Sequence, residues 1–132
     1  MNSQSITQTI LFDAAPHDVF EAIMDENIHS AFTGASAAIA RKVGGKFSVW
    51  DGYASGVTKE LTKDKKIVQT WRASDWPSAH HSTIVFEFYP VKRGTKLVFK
   101  QEGIPEDQIE SISQGWYEFY WDPMKKYFGD RS

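Results

Sequence analysis

The chain has 132 residues, 15 Lys and Arg against 17 Asp and Glu, and no Cys. This length suits one domain spanning residues 1–132, long enough to bury a sizeable core. A formal net charge of −2 argues against nucleic acid as the main partner, which would need a one-sided basic field. The lack of Cys excludes disulfides and thiolate chemistry. Without a signal-like start or an apolar stretch near ~20 residues, we expect a cytoplasmic protein with no membrane span.

The first quarter of the chain predicts one strand and two short helices. Apolar and polar side chains alternate over residues 6–12, as in a half-buried strand. Pro16 suits the first position of a helix, and the apolar residues after it recur at helical spacing. A second short helix is expected over residues 27–32, closed by Gly34.

From residue 37 the pattern becomes that of antiparallel strands separated by turns. Asp51-Gly52 predicts a two-residue hairpin turn between a strand around Phe47 and a strand over residues 54–61. A further strand is expected over residues 66–73. The next two strands, over residues 83–89 and 95–102, alternate cleanly and share one inward face. That face contains Ile84, Phe86, Phe88, Leu97, Phe99 and Gln101.

The C-terminal segment predicts the longest helix. Acidic residues at its start are followed by apolar residues at three-to-four-residue spacing. Pro123 lacks an amide hydrogen and crowds the carbonyl of Phe119, so a kink or an early end is expected there. We predict an α+β fold in which a curved antiparallel sheet of about six or seven strands wraps around this helix. The predicted interface contains Phe86, Phe88, Phe99, Trp116, Phe119 and Tyr120.

The sequence carries no strong catalytic, metal or cofactor motif. No GxGxxG motif is present, and residues 44–46 lack the spacing of a phosphate loop. Glu118 and Asp122 could share a helix face as an acid–base pair, although both are expected to be solvated. We therefore predict no cofactor, no metal and no catalytic residue. The four histidines, predicted to face solvent or bond the backbone, are His17, His29, His80 and His81.

Aromatic residues are the most informative group, with nine Phe, five Tyr and five Trp. These rings could simply fill the core, or they could line a ligand-sized cavity where the helix diverges from the sheet. In the second interpretation, Gln101 and Tyr120 supply polar anchors in an apolar slot. The predicted ligand-binding residues are Phe47, Trp71, Phe86, Phe88, Phe99, Gln101, Trp116 and Tyr120.

A series of short motifs, in order from about Ile6 to Gly129, matches a known family. The motifs are Ala31-Phe32-Thr33, Gly44-Gly45-Lys46-Phe47, Asp51-Gly52, Ser55-Gly56, Lys66-Ile67-Val68, Trp71-Arg72, Trp76-Pro77, Gly103-Ile104-Pro105 and Gln114-Gly115-Trp116, followed by Tyr120. Each motif is common alone, but the ordered set is specific. The chain resembles the C-terminal domain of the activator of heat-shock protein 90 (Hsp90) ATPase, a member of the START-like (SRPBCC) helix-grip superfamily.

The resemblance implies a helix-grip fold and a non-enzymatic binding module, with a small apolar ligand held between sheet and helix. An alternative is a co-chaperone, with a role in the stress response, that docks on Hsp90 and stimulates its ATPase. Its docking surface would include Trp76, because exposed Trp residues are frequent interface anchors. Such activators carry a separate N-terminal domain for the principal chaperone contact, and 132 residues leave no room for it. A third alternative is a cyclase- or hydrolase-like enzyme.

Overall fold

A computed structural model describes residues 3–77 and 80–129 of the chain, and seven antiparallel strands within them form one sheet. The strands are β1 (Ser3–Phe12), β2 (Ala38–Ile39), β3 (Lys46–Val49), β4 (Ala54–Thr62), β5 (Lys66–Ala73), β6 (Ser82–Val91) and β7 (Gly94–Pro105). Their order across the sheet is β1-β7-β6-β5-β4-β3-β2, so β7 links the first strand to the hairpins that follow. The helices are α1 (Pro16–Met24), α2 (Glu26–Thr33), α3 (Ile109–Trp116) and α4 (Asp122–Gly129).

Side-chain alternation decides which face of the sheet is buried. Every second residue is buried along β5, from Ser82 to Phe88 in β6 and from Thr95 to Gln101 in β7. Phe86 of β6 lies directly opposite Phe99 of β7. A bulge near Thr58 bends β4. Gly56 of the same strand has no room for a side chain, because an added Cβ would lie 1.9 Å from the carbonyl oxygen of Thr70. These features give the curved α+β arrangement predicted from the sequence.

The two short helices form where the sequence predicts them. Asp25 caps α2, its carboxylate accepting hydrogen bonds from the backbone N–H groups of Asn27 and Ile28 at 2.9 and 3.1 Å. Gly34 ends α2 in the left-handed region, with a φ of 76°. The apolar side of α1 is buried in the core. α1 packs on β6 and β7, and α2 packs on α1 and on the C-terminal helix.

The C-terminal helix continues through Pro123, so of the two expected outcomes, a kink or an early end, the early end does not occur. A 3-10 turn (Glu106–Gln108) precedes α3, and a π-helical turn (Tyr117–Trp121) joins α3 to α4. The N–H of Asp122 bonds the carbonyl oxygen of Tyr117, five residues back. This wider turn adapts the helix to Pro123, which has no N–H for the usual four-residue bond.

The π-helical turn also decides which rings face the sheet. Trp121 is completely buried and stacks on Trp116, five residues earlier, with ring centroids 5.5 Å apart. Trp116 in turn packs on Phe99 at 4.4 Å. Phe119 is 45% exposed, so its predicted place in the sheet–helix interface is wrong. Among the described residues, no helix has the length and apolar character that a membrane span requires.

Candidate functional site

An open pocket of about 390 Å³ lies between the C-terminal helix and the turn that joins β3 to β4. The turn and the strands beside it contribute Trp50, Tyr53, Ala54 and Trp71, and the helix contributes the rest of the lining. Aromatic rings form most of the wall: Trp50, Tyr53, Trp71, Trp116, Phe119 and Tyr120. No charged side chain lines this pocket.

The β3–β4 turn is longer than the predicted two-residue turn, and it holds Trp50 at the pocket mouth. Three successive residues, Trp50 to Gly52, have left-handed φ angles of 54°, 56° and 92°. The carboxylate of Asp51 accepts hydrogen bonds from the backbone N–H and the hydroxyl of Ser36, both at 2.8 Å. These bonds lower the pKa of Asp51. Tethered in this way, the turn places the Trp50 ring 5.2 Å from the ring of Phe119, edge to face.

On the helix side, a glycine leaves space for the pocket. Gly115 lies on the pocket wall, and a Cβ added there would meet the Phe119 ring at 3.7 Å. Ser111 lies one turn earlier on the same wall, and its hydroxyl donates to the carbonyl oxygen of Gln108 at 3.1 Å. Two small residues, Ser111 and Gly115, therefore form part of a wall that is otherwise made mostly of bulky side chains.

A second, smaller void lies deeper, between the sheet and the helix. Its volume is about 20 Å³, room for about one water molecule. Phe47 and Phe86 line this void and not the open pocket, whereas Trp71, Trp116 and Tyr120 line both. These three shared rings separate the two spaces. The slot that we expected between sheet and helix is therefore almost filled, and the open space lies at its edge.

Three of the predicted ligand-binding residues line neither space. Phe88 packs against Phe20 of α1 at 5.7 Å, and Phe99 is completely buried beneath Trp116. Gln101 is also completely buried, and both ends of its amide are bonded. Its Oε1 accepts from the indole N–H of Trp116 at 2.7 Å, and its Nε2 donates to the Ser82 hydroxyl at 2.9 Å. The prediction of Gln101 as a free polar anchor is wrong, because this bond fixes the position of Trp116 instead.

The hydroxyl of Tyr120 is likewise already hydrogen-bonded, to the buried His29. From the sequence, His29 was expected to face solvent or to bond the backbone. Nδ1 of His29 bonds the carbonyl oxygen of Ile23 at 3.1 Å and therefore carries the proton. Nε2 is then an acceptor, and the Tyr120 hydroxyl donates to it at 2.9 Å. Burial lowers the pKa of His29 to about 4 and raises the pKa of Tyr120. His29 is thus a neutral link between α2 and the C-terminal helix.

The predicted partner anchor is buried too. Trp76 is 4% exposed, and its ring packs against Trp71 at 5.4 Å, so the expectation that it presents an exposed surface is wrong. Arg72 donates hydrogen bonds to the carbonyl oxygens of Trp76 and Pro77. This contact folds the Trp76-Pro77 segment back over β5 and turns the indole inward.

Residues 13–129 match the model of a family described as activator of Hsp90 ATPase homolog 1-like protein. The chain belongs to this family. The human protein named activator of 90 kDa heat shock protein ATPase homolog 1 is 34% identical over 124 residues, which are 94% of this chain and 37% of the human protein. The yeast (Saccharomyces cerevisiae) Hsp90 co-chaperone AHA1 is 27% identical over 134 residues, covering 97% of this chain and 38% of that protein. This chain thus spans less than two-fifths of either relative.

A solved structure of an HSP90 activator from Plasmodium falciparum superposes with a TM-score of 0.86 and 31% sequence identity. That match covers 96% of each of the two chains. The solution structure of the Aha1 dimer from Colwellia psychrerythraea has a TM-score of 0.81 at 17% identity, which supports the fold alone. The helix-grip fold and the resemblance to the Hsp90 activator family are therefore confirmed.

The acid–base candidates in this activator-family domain lie outside the pocket. Glu118 and Asp122 are exposed, and neither lines the open pocket or the inner void. Within residues 3–77 and 80–129, no three His, Asp or Glu side chains gather as a metal site would require. Sequence reasoning missed Trp50 and Tyr53 as pocket residues, although these two aromatic residues flank Asp51-Gly52. That flanking pattern was the available signal.

Proposed function

We propose that this domain is a co-chaperone module that docks on Hsp90 and stimulates ATP hydrolysis by the chaperone. The observation that carries the proposal is the end-to-end match to the HSP90 activator from P. falciparum, at 31% identity over 96% of both chains. The human and yeast relatives are also named for action on the chaperone. Because this chain corresponds to only 37% of the human relative, the activity of that whole protein is a proposal for this domain.

The test is ATP turnover by purified dimeric Hsp90 as a function of the concentration of this domain. We expect turnover to rise and saturate, since stimulation requires a complex. Hydrolysis that persists with an Hsp90 inhibitor is subtracted as background. Unchanged turnover at a large excess of the domain, together with no heat of binding by calorimetry, would contradict the proposal.

Two exposed rings can locate the docking surface. Phe119 at the pocket mouth is 45% exposed, and Tyr89 of β6 is 44% exposed. Each is replaced by Ala, and stimulation of the chaperone is measured for both variants. A selective loss in Phe119→Ala would place the contact at the pocket end of the domain. A selective loss in Tyr89→Ala would place it on β6.

A second candidate function is binding of a small apolar ligand, and the open pocket favours it. Its volume of about 390 Å³ lies within the usual range for ligand sites, and rings dominate its wall. In this proposal Trp71, Trp116 and Tyr120 contact the ligand, and Phe47 and Phe86 lie behind them around the inner void. Thermal shift against an apolar ligand panel is the test, because a ligand at a hundred times its Kd adds ~2.7 kcal/mol of stability. A flat response across the panel would count against the candidate.

A further inference from the structure

The wall of the open pocket has the chemical character of an aromatic cage. Six of its ten lining residues carry aromatic rings. Neighbouring rings meet at steep angles: Tyr53 and Trp71 at 69°, and Trp50 and Phe119 also at 69°. Rings at such angles form adjacent walls around a small volume. The faces of aromatic rings carry partial negative charge, so a space enclosed by them favours a positive guest.

The wall offers a guest few hydrogen bonds. The hydroxyls of Tyr120 and Ser111 already donate, to His29 and to the carbonyl oxygen of Gln108, so they can only accept from a guest. The third hydroxyl on the wall belongs to Tyr53, a ring that is 43% exposed. The indole N–H of Trp50 has no partner among the described residues, but this atom is shielded from the open space. A primary ammonium has three N–H donors to satisfy, and a wall made mostly of rings offers it only hydroxyl oxygens as acceptors, so part of its lost hydration is not replaced, which is costly. An ammonium whose hydrogens are replaced by methyl groups avoids that cost.

The surroundings of the pocket are acidic. Asp51 follows Trp50 in the turn, and the pKa of Tyr53 is raised first by burial and then by the negative charge of Asp75. Over residues 106–122 the C-terminal helix carries five acidic residues and no Lys or Arg. The negative field of these carboxylates attracts a cation and repels an anionic ligand. Lys125 and Lys126 follow this acidic segment in α4, and the other nine Lys residues lie between residues 42 and 100, outside the lining of the pocket.

We propose that the pocket binds an organic cation, with a methylated ammonium group among the rings and an apolar body against Ile112 and Ala54. The inference rests on the second candidate function, ligand binding in this pocket, and is independent of chaperone stimulation. It narrows the ligand class from apolar molecules in general to apolar molecules with a quaternary or fully alkylated ammonium group. Neutral and anionic molecules of the same shape bind more weakly.

The test compares two molecules of nearly identical shape. Meta-hydroxyphenyltrimethylammonium carries the charge, and meta-tert-butylphenol replaces its nitrogen with carbon. Affinities are measured by calorimetry and by the fluorescence of the Trp residues on the wall, at a pH where both phenols keep their proton. Cation–π attraction predicts that the cation binds about three- to thirtyfold tighter than the neutral molecule. Equal or tighter binding of the neutral molecule overturns the inference. That result would still support the second candidate function, binding of an apolar ligand in the open pocket.

Variants of matched exposure separate ring chemistry from apolar contact. Tyr53→Leu and Phe119→Leu keep an apolar side chain at the mouth, where the native rings are 43% and 45% exposed. We expect at least a threefold loss of cation affinity in each, with less than a twofold change for the neutral molecule. Tyr89→Leu, at a ring of 44% exposure on β6, is the control and should change neither.

An equal loss of both affinities in the Tyr53 and Phe119 variants would overturn the inference, because it would show apolar contact alone. Binding of neither molecule to the wild-type domain would overturn it together with the apolar-ligand candidate. The Hsp90 turnover assay uses neither compound, so either failure is distinguishable from failure of the co-chaperone proposal.

Discussion

Two aromatic clusters meet at the C-terminal helix, and they differ in how their backbones are held. The closed cluster, Phe86, Phe99, Trp116 and Trp121, rests on the centre of the sheet. Its members are 4% exposed or less. The open cluster, Trp50, Tyr53 and Phe119, rests on a turn and on the outer edge of the helix, and Tyr53 and Phe119 are 43% and 45% exposed.

The number of aromatic rings in a cluster therefore does not determine whether a pocket remains between them. In the closed cluster, strand register sets Phe86 opposite Phe99, and the bond from Trp116 to Gln101 fixes the ring above them. In the open cluster, Gly115 has no side chain to fill the space beside the helix. The hydrogen bond between Asp51 and Ser36 holds the β3–β4 turn in place on the opposite side of the pocket. An absent side chain and a fixed turn maintain the pocket.

Replacement of Trp116 by Ala should produce the largest change. The substitution removes a ring that separates the pocket from the inner void, and it leaves the Oε1 of Gln101 without its donor. Truncation of a buried Trp costs about 3–5 kcal/mol of unfolding free energy. Urea unfolding of both proteins measures this loss. A loss below about 0.5 kcal/mol would mean that Trp116 is not a core residue.

Acid should lower the unfolding free energy through His29, which links α2 to the C-terminal helix. Burial holds its folded-state pKa at about 4, below the ordinary histidine value of 6.5. Between these values the unfolded chain binds a proton that the folded domain does not, so stability falls as pH falls from 6.5 to 4. The whole effect is about 3 kcal/mol. Urea unfolding at several pH values measures it.

His29→Gln is the control for this pH dependence. The variant keeps a polar side chain but cannot titrate, and it retains the three other histidines of the chain. We expect its stability to be lower at neutral pH and flatter between pH 6.5 and 4. An unchanged slope in the variant would show that another group carries the dependence.

Sequence patterns were sufficient for the fold because the helices and the long strands are amphipathic, with one apolar face and one polar face. Alternation in β6 and β7 assigned Phe86 and Phe99 to the inner face, and Gly34 marked the end of α2. The helix face was less predictable. Regular helical spacing places Phe119 inside with Trp116, whereas the π-helical turn turns Phe119 outward and Trp121 inward. Pro123 signalled a distortion there but not its form.

The pocket was less predictable than the fold, because long-range hydrogen bonds shape it. The tether of Asp51 to Ser36 crosses 15 positions, and the bond of His29 to Tyr120 crosses 91. No local pattern encodes either pairing. The inward position of Trp76 depends similarly on Arg72, whose guanidinium binds backbone carbonyls that any residue would supply.

Loss of the Tyr120 hydroxyl should have an intermediate effect. Tyr120→Phe keeps the ring between pocket and void but leaves Nε2 of the buried His29 without its donor. An unsatisfied buried acceptor costs about 1–3 kcal/mol. Tyr53→Phe, which removes a hydroxyl from a half-exposed ring, is the control and should cost less than about 0.5 kcal/mol. Equal costs in urea unfolding would mean that the bond to His29 adds no stability.

Truncation at the open cluster should change stability least. Phe119→Ala removes a 45% exposed ring and its edge-to-face contact with Trp50, a pair worth about 1 kcal/mol or less. Tyr89→Ala, at equal exposure, reports the cost of losing an exposed ring elsewhere on the sheet. Tyr89 also donates a hydrogen bond to Glu87 and lies under the Lys96 ammonium, so a cost of Phe119→Ala above that of Tyr89→Ala in urea unfolding is a lower bound on the contact with Trp50. If Phe119→Ala cost as much as Trp116→Ala, the two clusters would form one core, and the open pocket could not accept a ligand without unfolding its own wall.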